Sequence, residues 1–206
     1  MQRDRYYLPG LLYTGILEVP LRGIRKKVRN LVLKNDLFPL LDLCCGPGTQ
    51  AGLLRRPGSC PVAADINIRM LKYAASLHPE VHFVCADAAR TPFRPHVFRG
   101  IVISFALHEK RTDFRPRLLA EAKTLLSPGG RILLVDFERP WDEASRRAYL
   151  YVSVIERLAG TSHFRNGRDF FRRGGLRELL RENGFREVER QNIAAGTCAV
   201  VLAVPE

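Results

Sequence analysis

The sequence has no apolar run approaching the ~18 residues that a membrane span needs. Its first ten residues, MQRDRYYLPG, lack the apolar core of a signal peptide, so neither export by that route nor a spanning helix is expected. Cysteine is sparse and odd in number: Cys44, Cys45, Cys60, Cys85 and Cys198 show no paired metal-ligand spacing. That argues against a disulfide scaffold or a metal site and predicts reduced thiols in a cytoplasmic protein. Cys44 and Cys45 are adjacent, and neighbours on an extended chain point to opposite faces, so they do not share a bridge or a metal. Acidic residues are also short, 21 against 33 basic ones, and the basic set is 27 Arg to 6 Lys. The resulting +12 suggests an anionic partner, nucleic acid or a membrane surface, although an Arg excess can also follow from codon composition. No internal repeat or low-complexity tract is present. At 206 residues, with 46% hydrophobic and 26% charged, the chain has the size and composition of one globular domain.

Apolar runs of strand length alternate with segments of helical period, which predicts an α/β protein with a mostly parallel sheet. The first helix is expected over residues 21–34, where Leu21, Ile24, Val28, Leu31 and Val32 recur at helical spacing. Strands follow at 37–45, 61–64, 81–85, 100–105 and 131–137, with helices at 68–77 and 115–126, and Ser127-Pro128-Gly129-Gly130 ending the second of these. Residues 141–183 break the alternation with two helical stretches joined at 160–167, a small helical insertion after the fifth strand, in which Ala144, Ala148, Tyr151, Ile155 and Leu158 share a helical face and Gly160, Gly167 and the Gly174-Gly175 pair offer hinges or caps. Two last runs, 185–193 and 198–204, flank Ala194-Ala195-Gly196-Thr197 and imply an antiparallel hairpin.

Chemistry concentrates at the ends of the strands. Leu40-Leu41-Asp42-Leu43-Cys44-Cys45-Gly46-Pro47-Gly48-Thr49 is a buried strand running into a glycine turn and a helix, where a ligand can approach the backbone. Asp65 ends the second strand about 20 residues on, where an acid can accept from both hydroxyls of a ribose; it could equally cap the helix starting near Asn67. Asp87 follows the third strand, placed for an adenine amino group. The glycine turn and two acids converge on one crevice, the expected ligand site of an open α/β sheet.

Taken in order, LDLCCGPGT, AADIN, VCADAARTPF, ISFALHE and LLSPGGRILLVDFE resemble the successive motifs of the Rossmann-like S-adenosylmethionine-dependent methyltransferases, over roughly residues 38–138. The tail of the chain is similar, more loosely, to the small methyltransferases grouped with the ubiquinone/menaquinone-biosynthesis C-methyltransferases. The resemblance implies one domain over 1–206, with a helical segment at 1–36, a cofactor-binding core at 37–138, a helical cover at 139–184 and a hairpin at 185–206. It implies a seven-stranded, mostly parallel sheet with helices on both faces, and S-adenosyl-L-methionine as cofactor. Carried over by position, Asp42, Gly46 and Gly48 face its methionine part, with Ser104 by the amino group. Asp65 takes the ribose hydroxyls, Ile66 and Met70 lie beside the adenine, Asp87 meets the adenine amino group, and the Ala88 N–H reaches a ring nitrogen. The family usually has glycine at the position of Cys44, so the backbone there is expected to avoid positive φ.

In such enzymes the sulfonium is already a strong methyl donor, so alignment does most of the work, and a base is needed only where the acceptor has a proton to lose. His108, beside Glu109 just past the fourth strand, lies where that base would be, or else it lines the wall. Tyr151, His163 and Asn166 are weaker candidates for the acceptor pocket. A small or lipid-like acceptor met near an anionic membrane surface is favoured over nucleic acid, on the basic stretches at 22–29 and 165–181. Two alternatives remain: an RNA-directed methyltransferase or RNA-binding module on the same fold, and a nicotinamide-dependent dehydrogenase, which the absent GxGxxG spacing and the terminal hairpin disfavour.

Overall fold

A computed structural model of the chain describes residues 7–138, 142–143, 145–147, 149 and 161–206. Seven strands form one sheet: β1 (Leu40–Leu43), β2 (Val62–Asp65), β3 (His82–Cys85), β4 (Phe98–Ser104), β5 (Leu126–Phe137), β6 (Phe185–Ile193) and β7 (Cys198–Pro205). Their spatial order is β3-β2-β1-β4-β5-β7-β6, parallel except that β7 runs antiparallel to both β5 and β6. The expected α/β class, seven strands and terminal hairpin are all present. The order reverses between β1 and β4, and there the helices after the two strands leave on opposite faces, opening a crevice at the carboxyl edge.

Side-chain alternation assigns the two faces. Leu41, Leu43, Ile101, Ile103, Ile132 and Leu134 pack on Leu118 and Leu119 of α4 (Phe114–Leu125) and on Leu176 and Leu180 of α6 (Gly175–Glu182). Leu40, Val102, Leu133 and Val135 take the other face, against Val28, Leu31 and Val32 of α1 (Tyr7–Lys34). Ala63 shares that second face with Ala51 of α2 (Thr49–Leu53) and Leu71 of α3 (Ile68–Leu77). β1 is buried at every position, as a central parallel strand must be.

Several boundaries differ from expectation. α1 starts at Tyr7, fourteen residues before its amphipathic part, and runs through Pro9 and Pro20, which interrupt the apolar period that periodicity reads. β1 is shorter at both ends: Pro39 has no N–H for the ladder, and Cys44 turns out of it at φ 63. β5 begins at Leu126 and absorbs the Ser-Pro-Gly-Gly segment, with a register shift opposite Phe98 to Gly100 and Gly129 at φ 73. Of the join expected at 160–167, the described part, 161–167, is helical. α5 (Thr161–Arg172) continues straight through the buried Gly167, and the break falls at Gly174, whose φ of 96 favours glycine. Among the described residues no helix is long and apolar enough to cross a membrane.

Candidate active site

The carboxyl ends of β1, β2 and β3 form one half of the crevice. The chain leaves β1 through three left-handed residues, Cys44 (φ 63), Gly46 (φ 52) and Gly48 (φ 74). Positive φ at Cys44 is the opposite of what its side chain favours; the reversal needs that conformation, and the thiol bears a strain of about 1–2 kcal/mol. A Cβ on Gly48 would lie 2.9 Å from Ala74 Cβ and Phe83 Cε1, so helix and strand meet there without room for a side chain. A Cβ on Gly46 would meet no atom within 4 Å, leaving its backbone open to a ligand.

Asp65 stands beside this turn. Its Oδ2 accepts from Gly46 N–H at 2.9 Å and its Oδ1 from Asn67 N–H at 2.8 Å, so both oxygens are oriented while each keeps a lone pair. The cap of α3 is instead Asn67, whose side chain accepts from the N–H groups of Arg69 and Met70. Asp87 accepts from Ala89 N–H at 2.9 Å, next to the buried Ala88. Ile66 and Ile68 are exposed at 68% and 51% on the rim, and Met70 is half-buried.

Asp42 points from the middle of β1 into the face that carries α1 and α2. Burial pushes its carboxyl up to about 7, the charge of Asp65 adds to the rise, and Arg25 and the Ala51 N–H oppose it. Its Oδ2 and the Oγ of Ser104, on the same face of the adjoining strand, are buried without a hydrogen-bond partner. Unmet buried oxygens cost about 1–3 kcal/mol each, and a ligand presenting an ammonium group removes that cost. The two orphaned oxygens and the uncovered Gly46 therefore fit the methionine end of S-adenosylmethionine.

The other half lies past β4 and β5. Asp136, fully buried near the end of β5, accepts from the N–H groups of Leu107 (2.8 Å) and His108 (3.2 Å) and from His108 Nδ1 (2.6 Å). His108 Nε2 lies 2.9 Å from Nε2 of His163 on α5, the rings stacked at 5.0 Å between centroids. Burial holds the His163 imidazole below its ordinary value, and the neighbouring His108 lowers it further. Asn166, one turn along α5, donates to Glu109 O at 2.7 Å. The two halves adjoin at the Glu109–Lys110 pair (2.5 Å): burial disfavours the Lys110 ammonium, but Glu109, Cys44 and Asp65 together hold it above its ordinary value.

Three residues singled out in the sequence, His108, His163 and Asn166, thus come together across 58 positions of chain. Tyr151 lies outside the described residues, as do Ala144, Ala148, Ile155 and Leu158 of the expected cover. Sequence reasoning missed Asp136, Arg115 and Asp169. Asp136 had a signal, as the lone acid within an apolar strand. Arg115 and Asp169 had none, because each resembles an ordinary surface charge on a helix.

A mostly parallel sheet with a reversed seventh strand, a glycine turn after β1 and acids after β2 and β3 defines a Rossmann-like enzyme for an adenosine-bearing cofactor. A family described as a methyltransferase domain matches residues 40–130. A demethylmenaquinone methyltransferase of Clavibacter sepedonicus is 34% identical over 176 residues, covering 78% of this chain and 71% of the relative. A ubiquinone/menaquinone-biosynthesis C-methyltransferase of Pseudomonas putida is 29% identical over 182 residues, covering 78% and 70%. A magnesium protoporphyrin IX methyltransferase of Synechocystis, solved with S-adenosylhomocysteine, shares the fold at TM-score 0.65 and 17% identity, over 92% of this chain and 85% of that one. The chain belongs to the class I S-adenosylmethionine-dependent methyltransferases. It is an enzyme, and S-adenosylmethionine is its cofactor.

Proposed function

We propose that this methyltransferase acts on a ring carbon of a small, lipid-like hydroquinone, and that the chain Asp136–His108–His163 takes up the proton released. The line of one buried carboxylate and two stacked imidazoles carries the proposal, since it supplies the base that a hydroxylated ring requires. The ring itself is suggested by the relatives named for demethylmenaquinone.

S-Adenosylmethionine supplies an electrophilic methyl group on a sulfonium. Asp65 is assigned to the ribose hydroxyls, and Asp87 with the Ala88 N–H to the adenine edge, flanked by Ile66 and Met70. Asp42, Gly46, Gly48 and Ser104 are assigned to the methionine end. A carboxylate only accepts, so His108 carries its proton on Nδ1 toward Asp136 and offers Nε2 as acceptor. His163 then donates from Nε2, which makes its Nδ1 the basic nitrogen. A hydroxyl proton of the acceptor passes to His163 Nδ1 while the Nε2 proton moves to His108, so the positive charge settles beside Asp136. Deprotonation would leave the ring electron-rich at the adjacent carbon, the atom that would accept the methyl group the cofactor supplies, with sulfur leaving as a neutral thioether. The ring C–H proton then returns to the oxygen, leaving one proton on the histidines for solvent.

The assay is transfer of labelled methyl to reduced demethylmenaquinone. His108→Ala is expected to lower turnover by ~10²–10⁴ with cofactor affinity nearly unchanged. A loss smaller than tenfold would mean that orientation alone suffices and that His108 is structural.

We also propose attachment to anionic lipid, supported by the exposed Arg165, Arg168 and Arg172 on α5 and Arg22, Lys26, Lys27 and Arg29 on α1.

A further inference from the structure

Arg115 opens α4 and is almost fully enclosed, with 2% of its surface exposed. Its Nε donates to Leu107 O at 3.0 Å, and Nη2 donates to Asn166 O at 2.7 Å and to His108 O at 3.4 Å. Its Nη1 meets Asp169 Oδ2 at 3.0 Å, the ring of Phe170 lies 5.1 Å from the guanidinium carbon, and Thr112 donates to the same Asp169 oxygen at 2.5 Å. One cation therefore ties the carbonyl of His108 to that of Asn166, and Asn166 sits one turn beyond His163 on α5. A buried charge is tolerated only when its donors are met, and here they are met by the two segments whose histidines face each other.

We propose that Arg115 is a positioning residue for methyl transfer, its guanidinium fastening α5 to the loop after β4 so that His163 Nε2 stays in reach of His108 Nε2. This rests on the proton relay proposed above. The planar fork reaches two segments at once through four partners, which a lysine ammonium on a flexible stem does not reproduce. Asp169 holds the far end of the fork while half-exposed, so it can be altered without opening the core.

The test is imidazole titration by NMR of cofactor-saturated enzyme, with turnover of reduced demethylmenaquinone measured against pH, for Arg115→Lys and Asp169→Asn. The groups felt at His163 are His108, Glu109, Asp136 and Lys110. In both variants His163 is expected to titrate closer to its ordinary range as α5 loosens, more so in Arg115→Lys. The acid limb of kcat moves to higher pH, kcat falls about tenfold, and the Kd for S-adenosylmethionine stays the same. An unmoved His163 titration and acid limb in folded variants would overturn the assignment, even if activity were lost. Should Arg115→Lys fail to fold, Asp169→Asn decides alone by the same two readings. The titration needs no acceptor, so it is separate from the relay itself, which fails if His108→Ala leaves methylation intact.

Discussion

At the scale of single residues, Asp65 does two jobs with one carboxylate. It holds the glycine turn through Gly46 N–H and keeps a lone pair on each oxygen, and we propose that these meet the ribose. Asp65→Ala is expected to weaken S-adenosylmethionine binding at least tenfold by calorimetry, since charge-assisted bonds are worth ~1.5–3 kcal/mol each. Unchanged affinity in the folded variant would remove the ribose assignment. We propose that Asp42 trades stability for cofactor binding. Between its ordinary 3.8 and about 7, the folded chain keeps a proton that the unfolded chain has lost, so stability from this group falls as pH rises through that window. At ~1.4 kcal/mol per unit the loss above pH 7 is on the order of 4 kcal/mol. Asp42→Asn is therefore expected to melt higher than the native chain at pH 8, by a margin that shrinks at pH 5, while binding cofactor more weakly. Equal melting at both values would show that Asp42 is not held in the raised state. The acids and glycines after β1 to β3 were readable because each sits a fixed step past an apolar run. Arg115 was not, because its partners come from α5, more than 50 positions away.

At the scale of elements, the strands followed from apolar runs of strand length, and α3 and β6 keep their expected limits because an Asn cap and a turn mark them locally. Glycine was the unreliable signal. Gly167 and the Gly174-Gly175 pair were both expected as hinges or caps; Gly167 lies buried inside α5, whereas Gly174 does break the chain, with φ 96 and a Cβ position 2.4 Å from Glu178 Cγ. Composition does not distinguish a glycine chosen for size from one chosen for its backbone. Gly174→Ala should accordingly destabilise by about 1–2 kcal/mol in denaturant melts, from the left-handed conformation alone. A loss near zero would mean that α5 and α6 join with ordinary geometry. The ties from Arg115, Asn166 and Thr112 also predict that the described part of the cover, α5, is a fixed wall. Its amides are expected to exchange at the same rate with and without cofactor, and faster exchange in the free enzyme would make it a lid instead.

At the scale of the whole molecule, the +12 charge is spread over both the α1 and α5 surfaces. Co-sedimentation is expected to show salt-sensitive binding to anionic vesicles and little to neutral ones; tight salt-sensitive binding to RNA without that preference would reverse the choice of partner. The amino-acid sequence by itself determined the α/β order, the parallel core, the terminal hairpin and the placing of Asp65 and Asp87 at strand ends, because apolar runs and the residues that end them are local properties of a chain. Only the tertiary structure decided that Asp136 stands behind His108, that His163 stands before it, and that Arg115 binds the two segments together. Those contacts join residues that are far apart in sequence, and burial, which gives them their chemistry, exists only once the sheet and α5 have closed around them.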